Sequence, residues 1–409
     1  MREEGRTIAS RHREYRWQKS NLAKRVFGEE GPEKNETLTA LINEIYDRVI
    51  NRILEVELVR GDSPTAFSGV VSRVKRIYGI GNFVKILKAL GKETLERSTY
   101  YSYYYRSYDE ENGLTKKHSL SHLLTVCVPE EQDTAESLKS LIRGTDIADK
   151  RLIEAALYSP EWMELVGEYL GWDGFMSGCY YFMAHMNESF DDKRTAMIAK
   201  YTPLSKEELN DGAFDLNWFK EVYEMLGEKR FGMIYQAAKY ISDGTKHTRA
   251  RKYADAATGK LASSETRQTV EAKRNKDLLM AYALIPLEKK ETYKEKYLFL
   301  QKFLKESRQF GAQRRASEKT AVDMAVKNLA LTAGYTDEMR FVLNMESEIA
   351  SELIGYFEPH TVEKAEISLQ LAEDGKLTVR CEKAGKTLKS VPAKLKKNEY
   401  VVALQEAPV

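Results

Sequence analysis

The sequence predicts a mainly α-helical protein, a HEAT-like or irregular helical array that ends in a small C-terminal antiparallel β-meander. Three observations predict this class. Before residue 360, apolar residues recur near the 3.6-residue helical period in one segment after another. Alternating strand patterns are nearly absent from the same region. After residue 360 the apolar period changes to two, and Asp374-Gly375 forms a hairpin signal between two alternating runs.

The helices are predicted from apolar stripes and from their capping residues. Residues 37–59 form the first and longest helix, and Gly61 ends it. Ser159 is predicted to cap a helix at 160–170, and Ser205 with Glu208 has the spacing of a capping box. Further helices are predicted at 65–78, 82–90, 117–127, 134–143, 149–158, 175–187, 216–226, 230–241, 246–257, 290–310, 315–333 and 337–355.

Short helices joined by tight turns cannot bury their stripes singly, so we expect them to stack on one another. This predicts an N-terminal basic segment with the long helix at 1–60, a helical array at 61–275, a second helical unit at 276–358 and a β-meander with a terminal helix at 359–409. The strand residues are Ile367, Leu369 and Leu371, then Leu377, Val379 and Cys381.

Composition bounds the compartment and the chemistry. The 409 residues are 42% hydrophobic, with three distant cysteines that cannot form a disulfide framework. The longest apolar run, at 278–287, is shorter than the roughly 20 residues that cross a bilayer, and the first residues lack a signal-peptide core. We therefore expect a cytoplasmic protein with no membrane association. No dinucleotide, P-loop or nucleophile-elbow motif occurs, so no cofactor and no catalytic residue are predicted.

Residues 171–192 concentrate reactive side chains among aromatics. Phe175, Cys179, Phe182 and Met186 have the spacing of one buried helical stripe, which indicates that Cys179 is a packing residue. Six residues separate Cys179 from His185, which places them on roughly opposite sides of a helix. This separation disfavours a nucleophile and base pair.

Two residue pairs have the spacing of metal ligands. His118 with His122, and His185 with Glu188, can each present two side chains on one helix face. Neither pair has a third ligand nearby. We therefore favour hydrogen-bonded histidines, and keep a metal-dependent enzyme with a His/Glu site as the alternative function.

Two further segments are candidate binding surfaces. Residues 98–113 hold six tyrosines, and Tyr103, Tyr104, Tyr105 and Arg106 could stack on a partner or on bases. Residues 229–276 contain 12 Lys and Arg against 4 Asp and Glu, the largest charge asymmetry of a chain whose net charge is +2. Lys246, Arg249 and Lys252 are predicted to share an exposed basic face that could bind phosphates or an acidic protein, while a solvated face with no partner remains open.

Several stretches resemble a known bacterial family. They are FMSGCYYFMAHMNESFDDKR, AKYTPLSKEELNDGAFDLNWFKE, AAKYISDGTKHTRARKYADAATGK, QFGAQRRASEKTAVDMAVKNLALTAGY and GKTLKSVPAKLKKN. Together they resemble the large uncharacterised proteins called molybdate-metabolism-regulator-like, in which helical repeats precede a C-terminal domain of unknown function. Some members carry a WGR domain linked to nucleic-acid-associated proteins, but no Trp-Gly-Arg occurs here.

The resemblance implies an intracellular protein with no agreed enzymatic activity, and it implies that this chain is a piece of a longer one. Combined with the helical pattern, it predicts a scaffold or binding module and leaves a regulatory role open. Its expected partner is a protein, a downstream domain of the same larger protein, or a nucleic acid that binds the basic face.

Overall fold

The computed structural model describes residues 36–97, 115–371, 377–383, 385–388 and 390–406. Its internal contacts divide the chain into two compact units. The first contains the described residues up to Met183 together with Lys220–Thr248, and the second contains Ala184–Phe219 together with the described residues from Arg249 onward. The domain boundaries expected at residues 60, 275 and 358 stay predictions.

Helices form most of the described chain, which confirms the mainly α-helical class. Their bounds in the first half are α1 Glu36–Glu57, α2 Ser68–Val71, α3 Ile80–Leu90, α4 Lys116–Val126, α5 Ala135–Ile142, α6 Asp149–Tyr158, α7 Met163–Leu170, α8 Phe175–Ala184, α9 Asp192–Ile198 and α10 Lys206–Asp211. They continue as α11 Leu216–Ala237, α12 Thr248–Ala257, α13 Ser263–Lys273, α14 Lys276–Tyr282, α15 Tyr293–Glu306, α16 Ala312–Thr332, α17 Glu338–Leu353 and α18 Glu399–Glu406.

The first unit is built around α3, which packs against α4 and α5. Phe83 of α3 stacks on Trp162 with ring centroids 4.1 Å apart, and the indole Nε1 of Trp162 donates to the Cys127 carbonyl at 2.8 Å. Cys127 belongs to a two-residue strand, β2 (Cys127–Val128), which pairs in parallel with β1 (Ile77–Tyr78). This strand pair joins the segment before α3 to the segment after α4.

The second unit is centred on α16, which packs against α14, α15 and α17. The amide of Asn328 on α16 is fully buried, and its Oδ1 accepts a hydrogen bond from the Phe214 backbone N–H at 3.1 Å. A buried side chain thus satisfies a loop N–H that would otherwise lack a partner.

The C-terminal strands form one antiparallel sheet in the order β3 (His360–Val362), β4 (Ala365–Leu371), β5 (Leu377–Lys383) and β6 (Lys386–Leu388). Ile367 lies opposite Cys381 in this register, and both side chains are buried. Val401 and Leu404 of α18 are buried as well. The predicted meander and its terminal helix are therefore confirmed, and the edge strands β3 and β6 extend it.

Several predicted elements differ from the structure. The helix expected at 65–78 is only the one-turn α2 followed by β1. Ser159 makes no capping hydrogen bond, and the segment begins with a 3₁₀ turn at Pro160–Trp162. The capping box of Ser205 and Glu208 is confirmed. Within α11, Gly227 has φ 68° and ψ 165°, which interrupts the helix between the two segments predicted there.

One stripe of α1 also differs from expectation. The apolar stripe predicted for this helix includes Leu41, Ile45 and Val49 and continues through Ile53 and Leu54. The first three remain about half exposed, whereas Ile53 and Leu54, towards the C-terminal end of the helix, are buried. Across the described ranges, no helix combines the length and apolar character needed to cross a membrane.

Candidate functional site

The aromatic segment around residue 180 is packed into the protein interior. Cys179 is fully buried on α8, and burial raises the pKa of its thiol. His185 is also fully buried, and its ring packs against Phe214, Trp218 and Tyr253 at centroid distances of 5.3, 5.7 and 6.3 Å. The prediction that Cys179 is a packing residue is confirmed, and His185 belongs to the same kind of aromatic core.

His118 and His122 share one face of α4, as their spacing predicted. Nε2 of His122 lies 3.0 Å from the Val74 carbonyl, and burial lowers the pKa of this imidazole. The ring is therefore neutral near pH 7, with Nε2–H donating to the carbonyl. No group of three or more His, Cys, Asp or Glu side chains within the described residues could hold a metal ion, and His118, His122, His185 and Glu188 form no such group.

Both α4 histidines nevertheless line a cavity of about 210 Å³ in the first unit. Its other walls come from the loop after α3, the end of α6 and the turn after α11, and its lining residues are Glu96, Arg97, His118, His122, Thr125, Tyr158 and Asp243. Sequence reasoning found the histidines through their spacing. It missed the rest, which become neighbours only in the fold.

The predicted basic face is not assembled as expected. Arg249 is only 2% exposed, and its guanidinium donates to four backbone carbonyls. The prediction that it lies on an exposed basic face is wrong, because its guanidinium is buried and donates to backbone carbonyls in the protein interior. These carbonyls belong to His185, Met186, Leu209 and Asn210.

The other residues of this face are separate from Arg249. Lys252 is partly buried and lies 3.8 Å from an Asp277 carboxylate oxygen, whereas Lys246 is exposed in the other unit. The aromatic candidates Tyr103, Tyr104, Tyr105 and Arg106 lie outside the described residues.

Arg274, in the same basic stretch, is also structural. It forms an ion pair with Glu318 at 2.7 Å and lies over the ring of Phe303, with its guanidinium carbon 3.7 Å from the centroid. Arg314 donates to the same carboxylate at 3.0 Å. The basic composition of residues 229–276 thus includes two arginines that hold the second unit together.

Helix α17 presents an apolar surface that sequence reasoning did not identify. Met339 is 64% exposed, Leu343 61% and Ile354, directly after the helix, 67%. Ala350 is exposed between them. Their spacings of four, seven and four residues place them on one side of the helix. The sequence signal for this surface is that apolar residues occur on two different sides of the predicted helix.

Comparison with known proteins gives a family but no described activity. Residues 7–345 of the chain match a protein family of unknown function, DUF5724. No curated protein matches the chain, and no solved structure matches it.

Proposed function

We propose that this chain, a member of the DUF5724 family of unknown function, is a helical partner-binding module whose α17 surface binds an amphipathic helix with basic flanks. The exposed stripe of Met339, Leu343 and Ile354 is the observation that carries this proposal. Apolar side chains that are exposed together on one surface are typical of interaction sites.

The two opposite faces of α17 distinguish this stripe from scattered exposed leucines. Phe341, Met345, Ile349 and Leu353 are buried and attach the helix to its own unit. A helix that is apolar on both sides is typically covered on both sides. The outer side therefore has the composition of a buried surface without a covering element among the described residues.

Charge favours one class of partner. The segment from Asp337 to Glu352 contains five acidic residues and one basic residue, Arg340. Lys294 pairs with Glu348 and Glu352, which leaves the segment with a net negative charge. A helix with apolar residues flanked by lysine or arginine complements this surface in shape and charge.

This proposal keeps the predicted binding module but moves its contact surface. Burial of Arg249 removes the central residue of the basic face expected to bind nucleic acid. No observation favours the alternative of a metal-dependent enzyme. The molybdate-regulator-like resemblance remains an expectation.

A pair of synthetic peptides tests the proposal. Both have leucines at helical spacing, and their flanking residues are lysine in one and glutamate in the other. We expect the lysine peptide to bind the full chain with a Kd below about 100 μM. The glutamate peptide should bind at least about tenfold more weakly, and added salt should reduce the difference. Fluorescence anisotropy measures both affinities.

A substitution locates the binding surface. Leu343→Asp should weaken lysine-peptide binding about tenfold or more, because it places a carboxylate in the centre of the apolar stripe. The matched control is Leu141→Asp, the same change at a leucine that is 43% exposed on α5. Equal affinity of both variants would refute the assignment. A homodimer dissociated by Leu343→Asp would assign the surface to a second copy and overturn the peptide proposal.

A further inference from the structure

The cavity lined by α4 has a positive charge fixed in its wall. Nε and Nη2 of Arg97 donate to the Tyr240 carbonyl at 3.1 and 3.0 Å, and Nη2 also donates to the Tyr158 carbonyl. The guanidinium carbon lies 4.6 Å from the centroid of the Tyr158 ring. These contacts hold the guanidinium in one orientation before any molecule enters.

A negative group in the same cavity lacks a donor. Oδ1 of Asp243 is buried and has no hydrogen-bond partner among the described residues. A buried carboxylate oxygen without a donor is costly. The neighbouring Glu96 differs, because its carboxylate pairs with Lys117 at 2.5 Å. Asp243 is thus the acidic group of this cavity that a bound cationic donor would satisfy.

Three further polar groups of the cavity add no comparable charge. The Tyr158 hydroxyl donates to the Glu96 carbonyl at 2.6 Å, and burial raises its pKa, so it stays neutral. The His122 ring is neutral because burial lowers its pKa. The Thr125 hydroxyl donates to the Ser121 carbonyl at 3.2 Å. The cavity therefore combines one fixed cation with one acid that needs a donor.

We propose that this cavity binds a small zwitterion of the free α-amino acid class, with its carboxylate toward Arg97 and its ammonium toward Oδ1 of Asp243. A plain anion would leave Asp243 without a donor, and a plain cation would be repelled by Arg97. The volume of about 210 Å³ is below the roughly 300–1,000 Å³ of pockets for drug-sized ligands. Both size and charge therefore select a small molecule that carries both charges.

Calorimetric titration of the full chain with each free L-amino acid tests this inference. At least one should bind with a Kd below about 1 mM. Its deaminated analogue, which keeps the carboxylate, and its decarboxylated analogue, which keeps the amine, should each bind at least about tenfold more weakly. If no amino acid binds at about 10 mM, or if either analogue binds as tightly, the inference is wrong.

Two asparagine variants locate the binding. Asp243→Asn should weaken amino-acid binding about tenfold or more, because it removes the charge opposite the ammonium. Asp146→Asn, at an exposed position of the same unit, should leave the affinity unchanged. Asp243→Asn should not lower the urea midpoint of the ligand-free protein, since Oδ1 has no donor to lose. Unaltered affinity in a folded Asp243→Asn variant would overturn the assignment.

Discussion

Arg249 should be a major determinant of stability in the second unit. Its guanidinium donates to the Asn210 and Leu209 carbonyls at 2.8 Å, to the His185 carbonyl at 3.1 Å and to the Met186 carbonyl. Arg249→Met removes every one of these donors while keeping a long apolar stem. An unsatisfied buried carbonyl costs about 1–3 kcal/mol, so three or four of them at the low end cost about 3–4 kcal/mol.

This cost is measurable by urea unfolding followed by circular dichroism. A loss of about 3–4 kcal/mol should lower the urea midpoint by about 1 M or more, given slopes of about 1–3 kcal/mol per M. Hydrogen exchange of the backbone around residues 185–186 and 209–210 should become faster. Arg249→Lys should be intermediate, because one ammonium cannot reproduce the fork of a guanidinium.

Lys246→Met is the matched control for Arg249→Met. Lys246 is exposed and was predicted on the same basic face, so its substitution should change the free energy of unfolding by about 0.5 kcal/mol at most. If Arg249→Met unfolds at the same urea concentration as this control, the four hydrogen bonds do not stabilise the fold. A role for Arg249 in partner binding would then regain support.

Two further predictions concern the second unit. Gly212→Ala should cost about 2–4 kcal/mol in thermal or urea unfolding, because Gly212 has φ 109° and an added Cβ would collide with Met280 and with the Tyr253 hydroxyl. Gly232→Ala, in open space, is its control and should be neutral or slightly stabilising; equal losses would refute the steric argument. Burial opposes ionisation of Glu318, but Arg274 and Arg314 outweigh it and hold its pKa below the usual value. The stability that ionised Glu318 contributes should be complete above the unfolded-state pKa of about 4.3 and should be lost as pH falls through the lower folded-state pKa. Glu318→Gln should therefore make the free energy of unfolding less dependent on pH in that range.

The helices were predictable because their signals are local. A capping box such as Ser205 with Glu208 is complete within four residues, and an apolar stripe within two or three turns. The edge strand β3 was missed because three residues are too few to show an alternating period. The helix at 65–78 failed for a related reason: long-range pairing of Ile77 with Cys127 overrides the local preference.

Periodicity also could not show how much of an apolar stripe is covered. Leu41, Ile45, Val49, Ile53 and Leu54 all belong to the stripe expected for α1, yet the structure buries only the last two of these five and leaves the first three about half exposed. The spacing gives the direction of each side chain relative to the helix axis. Only the positions of the other helices decide along which part of the stripe that direction is the interior.

The site residues show the same limit most clearly for arginine. The planar guanidinium has five donors, which suits it both to phosphates and to groups of backbone carbonyls. In the sequence Arg249 and Lys246 look alike, three residues apart in a basic run. The carbonyls that accept from Arg249 lie 39 to 64 residues away along the chain, so no local pattern contains them. A basic run therefore predicts a binding surface only if its arginines do not donate to buried backbone carbonyls. Here Arg249, at the centre of the predicted face, does so and is not available to a partner.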